Sequence, residues 1–303
     1  MPLKRLVITA DDFGAAREVN DAVEAAHRGG VLTATSLMVA APAANDAIAR
    51  ARRMPSLRVG LHLVLVDGRP VLPAAAVSDL VDGSGQFRSN LAAFGAAIAC
   101  SRRVRRQLAA EITAQFAAFR DSGLTLDHAN AHKHFHLHPL VGELMATIGR
   151  RFGLGTMRVP LEPRRVLRKV EQTRWSPSQL TAPFALALRR QVRGAGLSTA
   201  DQVFGLQWSG QMTRQRLAGL VGNLPEGLSE IYLHPATAAF PGAAPGYRYR
   251  EELEALTAPE VAQACRNSSV QLGGFRDFVS AETPTVVPVP PDGGDVPAPG
   301  VRS

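Results

Sequence analysis

Leu6-Val7-Ile8-Thr9-Ala10, followed at once by Asp11-Asp12-Phe13-Gly14, opens the chain with a strand that runs into an acidic loop. The first five residues are apolar or β-branched without polar alternation, as expected of a strand covered on both faces. Val19, Ala22, Val23 and Ala26 then recur at helical spacing, and Gly29-Gly30 is placed to end that helix before a second strand at Thr35-Ser36-Leu37-Met38-Val39. The alternation continues outward. Residues 43–53 are Ala-rich and helical, closed by Pro55, and Arg58-Val59-Gly60-Leu61-His62-Leu63 reads as a third strand. Gly, Pro, Asp and Ser then crowd residues 66–90, an excursion loop of the kind that covers sites. Leu108, Ile112, Phe116 and Phe119 form one stripe of a helix over 104–120. Further strands are predicted at 124–128, 155–159, 202–206 and 230–234, with helices at 140–152, 214–221 and 258–266. Strands alternating with helices imply an α/β parallel sheet. Roughly seven or eight such units favour a (β/α) barrel like the TIM barrel, seven-stranded or distorted.

The chain has 303 residues, of which 46% are hydrophobic and 20% charged, which excludes wholesale disorder. A single barrel domain over 1–280 is expected. Pro284, Pro288, Pro290, Pro291, Pro297 and Pro299 mark 283–303 as a disordered tail. No apolar run reaches the roughly 18 residues of a membrane span. The N-terminus reaches Asp11 too soon to contain a secretory signal, so a cytoplasmic location is expected. Cys100 and Cys265 are far apart and lack metal-type spacing, which favours reduced thiols.

The formal net charge is +8, and Arg supplies nearly all of the cations. It is concentrated in one segment: between Arg150 and Arg193 the arginines and Lys169 face only Glu162 and Glu171, while the rest of the chain is close to neutral. A regional excess implies an anionic partner surface better than a diffuse one does.

Five of the eight histidines fall in His128-Ala129-Asn130-Ala131-His132-Lys133-His134-Phe135-His136-Leu137-His138, ended by Pro139. Neutral imidazole is the commonest metal ligand, and this tract is internal, follows a strand and is bracketed by apolar residues. Asp11-Asp12 is the second signal, because adjacent carboxylates after a buried strand repel unless a cation or a reacting group uses them. One could bind a metal while its neighbour faces substrate; helix capping by Asp12 is the competing reading. His62, inside an apolar strand, could alone be a hydrogen-bonded core residue. Jointly, Asp11-Asp12, His62 and His132 can converge at the C-terminal rim of a parallel barrel, and an Asp-His-His set with open positions suits a catalytic divalent ion.

Ala10-Asp11-Asp12-Phe13-Gly14, Asn20, Thr33-Ala34-Thr35-Ser36-Leu37, Gly60-Leu61-His62, His132-Lys133-His134-Phe135-His136 with Pro139, and Leu233-His234-Pro235 together resemble the YdjC-like carbohydrate deacetylases. Within them Asn130-Ala131-His132-Lys133-His134-Phe135-His136-Leu137-His138-Pro139 is similar to the hopanoid-biosynthesis-associated branch. The resemblance implies a barrel-like fold and metal-dependent removal of an acetyl group from an N-acetylated sugar. It implies Asp12, His62 and His132 as metal ligands, Asp11 as general base and His234 as general acid. Arg158 matches a family arginine expected to hold the sugar or acetyl group, with an ordinary surface ion pair as the competing view. Asn20, His134 and His136 complete the substrate-side candidates; for the histidines, core packing or loop capping competes. Members that cleave chito-oligosaccharides carry Asp-Ser where this sequence has Asn130-Ala131.

The chemistry is coherent with that implication: amide hydrolysis needs an activated water, an oxyanion stabiliser and a proton for the leaving amine. The expected cofactor is one divalent ion, zinc first, with magnesium and other divalent ions also acceptable to such a set. The expected substrate is an N-acetylglucosaminyl headgroup on a hopanoid polyol, with soluble chito-oligosaccharides as the alternative. The expected partner is an anionic membrane surface met peripherally by the basic segment 150–193, and self-association is left open. Two histidines and a carboxylate also serve non-haem iron oxygenases, but the extra base and the late His234 have a task only in hydrolysis. A nucleic-acid or metal-storage protein is the reading from another class; aromatic residues at 6% and the acidic pair argue against nucleic acid.

Overall fold

Leu6, Val7, Ile8, Thr9 and Ala10 are all fully buried, in the middle of β1 (Lys4–Phe13). The computed structural model describes residues 3–172 and 175–279; the tail predicted at 283–303 lies outside them. β1 leads into α1 (Arg17–Gly29), β2 (Ala34–Leu37) into α2 (Ala44–Arg52), and β3 (Arg58–Leu63) into a long connection carrying α3 (Leu91–Cys100) and α4 (Arg102–Asp121). β4 (Leu126–Ala131) runs into a 3-10 turn (His132–Leu137) and α5 (Pro139–Arg151), followed by α6 (Arg164–Val170) and α7 (Ser178–Gly194). The chain continues through β5 (Gln202–Phe204), α8 (Arg214–Gly222), β6 (Gly227–Leu233), α9 (Tyr249–Thr257) and α10 (Pro259–Asn267), and closes with β7 (Val270–Leu272) and α11 (Phe275–Phe278).

All strand pairings in this sheet are parallel, in the order β4-β3-β2-β1-β6-β5. β1 is the hub. One edge carries β6 from Lys4 to Ala10; the other is shared, β7 pairing Lys4–Leu6 and β2 pairing from Thr9 onward. The result is a parallel α/β half-barrel of six strands with a seventh set against β1. Among the described residues the gap between β4 and β5 is crossed by the single bridges Ala129–Met157 and Thr156–Ser198 and by the Val203 N–H donating to the Leu161 carbonyl, 2.9 Å. The strand predicted at 155–159 is thus reduced to bridges. Pro160 and Pro163, which have no N–H to donate, follow it directly.

The apolar stripe of α4 is buried as its periodicity predicts, but Glu111 and Gln115 are buried with it. The Gln115 amide donates to the Val64 carbonyl and accepts from its N–H, and Glu111 accepts the N–H groups of Val71 and Leu72 at 2.9 and 3.1 Å. Buried polar groups of this kind are retained because they satisfy backbone that leaves the sheet. Here they fix the excursion after β3, which also carries a 3-10 turn at Ala74–Val77 and a Val81–Phe87 bridge.

Candidate active site

β1 does not end as a regular strand. Its pairing with β2 slips between Ala10 and Phe13, and Asp12 sits in the left-handed region at φ 65°. In an unbroken strand neighbouring side chains point to opposite faces, whereas a bulge with a left-handed residue re-aims them. Asp11 turns into a buried network, and Asp12 turns toward β3 and β4. Gly14, at φ +95°, completes the reversal, and its N–H donates to Asn20 Oδ1 at 2.8 Å. The Asn20 amide donates in turn to the Ala43 carbonyl at 3.1 Å and to Asp46 Oδ2 at 2.9 Å. The structure thus spends Asn20, a substrate-side candidate, on the turn that presents the acidic pair.

Asp12 meets both expected histidines. His62 Nε2, from β3, lies 3.2 Å from Asp12 Oδ1, and His132 Nδ1, just past β4, lies 3.3 Å from the same oxygen. The ligand atoms of Asp12, His62 and His132 all fall within 4.8 Å of one another. Asp12 Oδ1 is buried without a hydrogen-bond partner among the described residues, although two imidazole nitrogens face it. A carboxylate oxygen and two imidazole nitrogens that converge in this way fit a divalent cation.

The tautomer of His62 is fixed from behind. Its Nδ1 lies 2.7 Å from Asn130 Oδ1, its cross-strand register partner, and 3.0 Å from Ser36 Oγ. Asn130 Nδ2 donates to Asp11 Oδ1 at 2.9 Å and to Ser36 Oγ at 3.2 Å, and Ser36 Oγ donates to the same Asp11 oxygen at 2.9 Å. With its amide nitrogen committed to a carboxylate, Asn130 offers His62 an acceptor. The imidazole therefore carries a proton on Nδ1, so its neutral form presents the Nε2 lone pair on the side of Asp12.

Arg158 is fully buried between two carboxylates. Nη1 donates to Asp11 Oδ2 at 2.5 Å and Nη2 to Asp11 Oδ1 at 3.0 Å, while Nε and Nη2 also donate to Glu230, which accepts from Thr9 Oγ1 at 2.8 Å. Its guanidinium carbon sits 4.5 Å from the centre of the Tyr232 ring. Expected on the substrate side, Arg158 instead holds Asp11. Burial pushes the Asp11 carboxyl up, but the Arg158 charge and hydrogen bonds, with the nearby His62 and His234, hold it well below the ordinary carboxylate range. Arg158 is pushed in the opposite direction: burial would lower it, and Asp11 and Glu230 outweigh burial.

The histidine tract does not run extended. Lys133 and His134 are both left-handed at φ 52°, so the chain turns and its histidines separate. His134 Nε2 pairs with the Tyr232 hydroxyl at 2.9 Å, His136 Nε2 donates to the Arg158 carbonyl at 3.1 Å, and His138 Nε2 donates to the Gly95 carbonyl at 3.2 Å. His128 is buried against Phe275 and pairs with Asp127 at 2.9 Å. Burial, with neighbouring positive charge, lowers both His134 and His136, the latter to about 3, so both are neutral at physiological pH. Lys133 forms an ion pair with Asp67, tying the turn to the excursion loop.

His234, the residue after β6, is half-buried, with its ring 5.1 Å from that of Tyr247. Burial lowers its pKa against the opposing pull of Asp12 and Asp11. Its N–H donates to Glu252 Oε2 at 2.5 Å, and the other Glu252 oxygen accepts the Met212 N–H at 2.9 Å. Ser36, Glu230, Tyr232 and Glu252 escaped the sequence reading. Three of them, with Asn130 and Thr9, are buried polar residues within strands, and that mid-strand polarity is the signal that could have found them.

The half-barrel and the carboxyl-end cluster define a parallel α/β scaffold with an Asp-His-His cluster able to hold a cation, flanked by a buried Asp-Arg-Glu network. Residues 5–267 match the YdjC-like protein family, and the chain belongs to it. A human protein named carbohydrate deacetylase is 32% identical over 96% of this chain and 96% of its own length. A Geobacillus stearothermophilus protein of the same name is 30% identical over 90% and 97%. A solved structure from Enterococcus faecalis, provisionally described as a cellobiose-phosphate cleavage protein, has a TM-score of 0.70 at 24% identity, covering 91% of this chain and 98% of that one.

Proposed function

We propose that this chain is a metal-dependent carbohydrate deacetylase. It hydrolyses the N-acetyl group of an N-acetylglucosaminyl headgroup on a hopanoid polyol to leave the glucosamine form. The observation that carries the reaction is the Asp12-His62-His132 cluster beside an Asp11 kept ionised by Arg158. The two relatives named carbohydrate deacetylase support the same chemistry.

Asp12, His62 and His132 would hold the cation. Zinc is the ion proposed, and when bound such an ion acidifies a water and polarises the acyl oxygen. Asp11 is the base. Its Oδ1 already accepts from Ser36, Asn130 and Arg158, whereas Oδ2, among the described residues, accepts from Arg158 alone and retains a lone pair for a proton. His234 faces the same cluster on the β6 side, and its lowered pKa makes its protonated form a readier donor to the leaving amine. The lipid-borne substrate draws on the likeness of residues 130–139 to the hopanoid-associated branch and on the cationic segment 150–193.

The test is acetate release from an N-acetylglucosaminyl hopanoid and from chito-oligosaccharides, with and without added zinc. Zinc-dependent release from the lipid is expected; release from the oligosaccharides alone would reassign the substrate, and release from neither would end the deacetylase reading. Asp12→Ala and His62→Ala are expected to lose bound metal. Asp11→Asn is expected to keep it while turnover falls by roughly 10²- to 10⁴-fold.

A further inference from the structure

α7 buries one side and exposes another that is also apolar. Ala185, Leu188 and Val192 are buried, with α7 packed on α5, where a Cβ at Gly142 would stand 2.5 Å from Leu188 Cδ1 and 2.8 Å from the His136 carbonyl oxygen. Facing outward, Leu180 and Phe184 lie one turn apart at 69% and 53% exposure, and Trp175, just ahead of the helix, is 54% exposed. Leu186 is exposed as well. These four make up most of the seven large apolar side chains exposed among the described residues. A surface helix ordinarily turns polar residues outward, and a clustered apolar exposure marks a surface that something covers.

The surrounding charge says what covers it. Arg189, Arg190 and Arg193 occupy the last turns of α7, and none forms an ion pair with a carboxylate among the described residues. The two carboxylates of the segment are engaged elsewhere. Glu162 accepts the N–H groups of Gly205, Leu206 and Gln207, and Glu171 pairs with Arg216. A second copy of this chain would set these cations against themselves, whereas an anionic lipid surface complements both the charge and the exposed aromatic and aliphatic side chains. α7 also packs against the His132–Leu137 turn, so the helix that carries this face adjoins the candidate site through its buried side.

We propose that the outer face of α7 docks on an anionic phospholipid surface, with Trp175, Leu180 and Phe184 entering the headgroup region and the α7 cations meeting lipid phosphates. The docking needs no turnover, so it stands or falls separately from the deacetylase reading.

Trp175 supplies a local readout, because the chain's other tryptophan, Trp208, is buried at 4% exposure. The full chain is titrated with vesicles of equimolar phosphatidylglycerol and phosphatidylcholine, and with phosphatidylcholine alone, following emission and co-sedimentation. Expected are a blue shift that Trp175→Phe abolishes, binding confined to the anionic vesicles, and weakening by salt. Leu180→Ser with Phe184→Ser should lower partitioning about tenfold or more. Arg189→Gln, Arg190→Gln and Arg193→Gln together should lower it by about a hundredfold. Both variants should keep the wild-type Tm, since the replaced side chains lie outside the core. No binding to anionic vesicles, or equal binding by the folded variants, overturns the proposal. So does micromolar self-association of wild type that Leu180→Ser with Phe184→Ser removes, which would assign the face to a second copy.

Discussion

Asn130 serves two groups with one amide. Its nitrogen donates to Asp11 and its oxygen accepts from His62, so the proposed base and one proposed ligand share a single support. Asn130→Ala removes both contacts and frees the His62 ring to change tautomer. Metal affinity is expected to fall by about 10- to 100-fold, the usual consequence of losing a ligand's outer partner. Asn130→Asp keeps an acceptor for His62 and should hold metal affinity within about tenfold of wild type. It also sets a second carboxylate against Asp11, where like charges disfavour double ionisation, so its defect should be in turnover. Competition with a chromophoric chelator, measured beside acetate release, separates the two: a loss of affinity in Asn130→Asp equal to that in Asn130→Ala would show that the oxygen does not set the tautomer. Arg158 belongs to the same scale. The sequence places it at the end of a strand and leaves open what it holds; only the folded chain brings Asp11 and Glu230 to either side of it.

Among the elements, legibility followed regularity. The predicted bounds of β3 coincide with Arg58–Leu63, and the stripe of α4 was readable, because periods of 2 and 3.6 are stated directly by apolar spacing. The elements that build the site break those periods. Four of the five non-glycine residues with positive φ among the described residues are Asp12, Asp67, Lys133 and His134, and nothing in the spacing of their neighbours announces it. Such conformations cluster where surrounding contacts over-determine them. The alternating histidines suggested one shared face, which requires extended backbone; two successive left-handed residues distribute them among separate partners. The β1–α1 turn is held by Asn20 rather than by propensity. Asn20→Ala leaves the Gly14 N–H without its acceptor and is expected to cost about 1–3 kcal/mol in urea denaturation, with weaker metal binding because Asp12 loses its setting. Unchanged stability would mean that the left-handed Asp12 is maintained by the sheet alone.

For the whole molecule, stability and pH are linked through buried carboxyls at the ends of the parallel sheet. Burial pushes Glu252 up from its ordinary 4.5 to about 8, against the Met212 and His234 N–H groups that favour its anion, and pushes Glu162 up to about 7. Glu252 joins α9, the loop before α8 and the end of β6, so its protonation bears on how these packed segments hold together. Between pH 4.5 and about 8 the unfolded chain has released a proton that folded Glu252 retains. The folded state then binds more protons, and stability must fall as pH rises across that window, levelling off above it. A single such carboxyl contributes a slope of at most about 1.4 kcal/mol per pH unit. Glu252→Gln preserves an acceptor for one backbone N–H and removes the titration. Its denaturation free energy, measured at intervals between pH 5 and 8.5, is expected to fall less steeply than that of wild type over this range and to run parallel to it above. Parallel curves throughout would mean that Glu252 ionises normally in the fold. Retention of acetate release by the variant at neutral pH would further assign Glu252 to holding β6 and α9 together, whereas a loss of turnover with stability intact would place it in the positioning of His234.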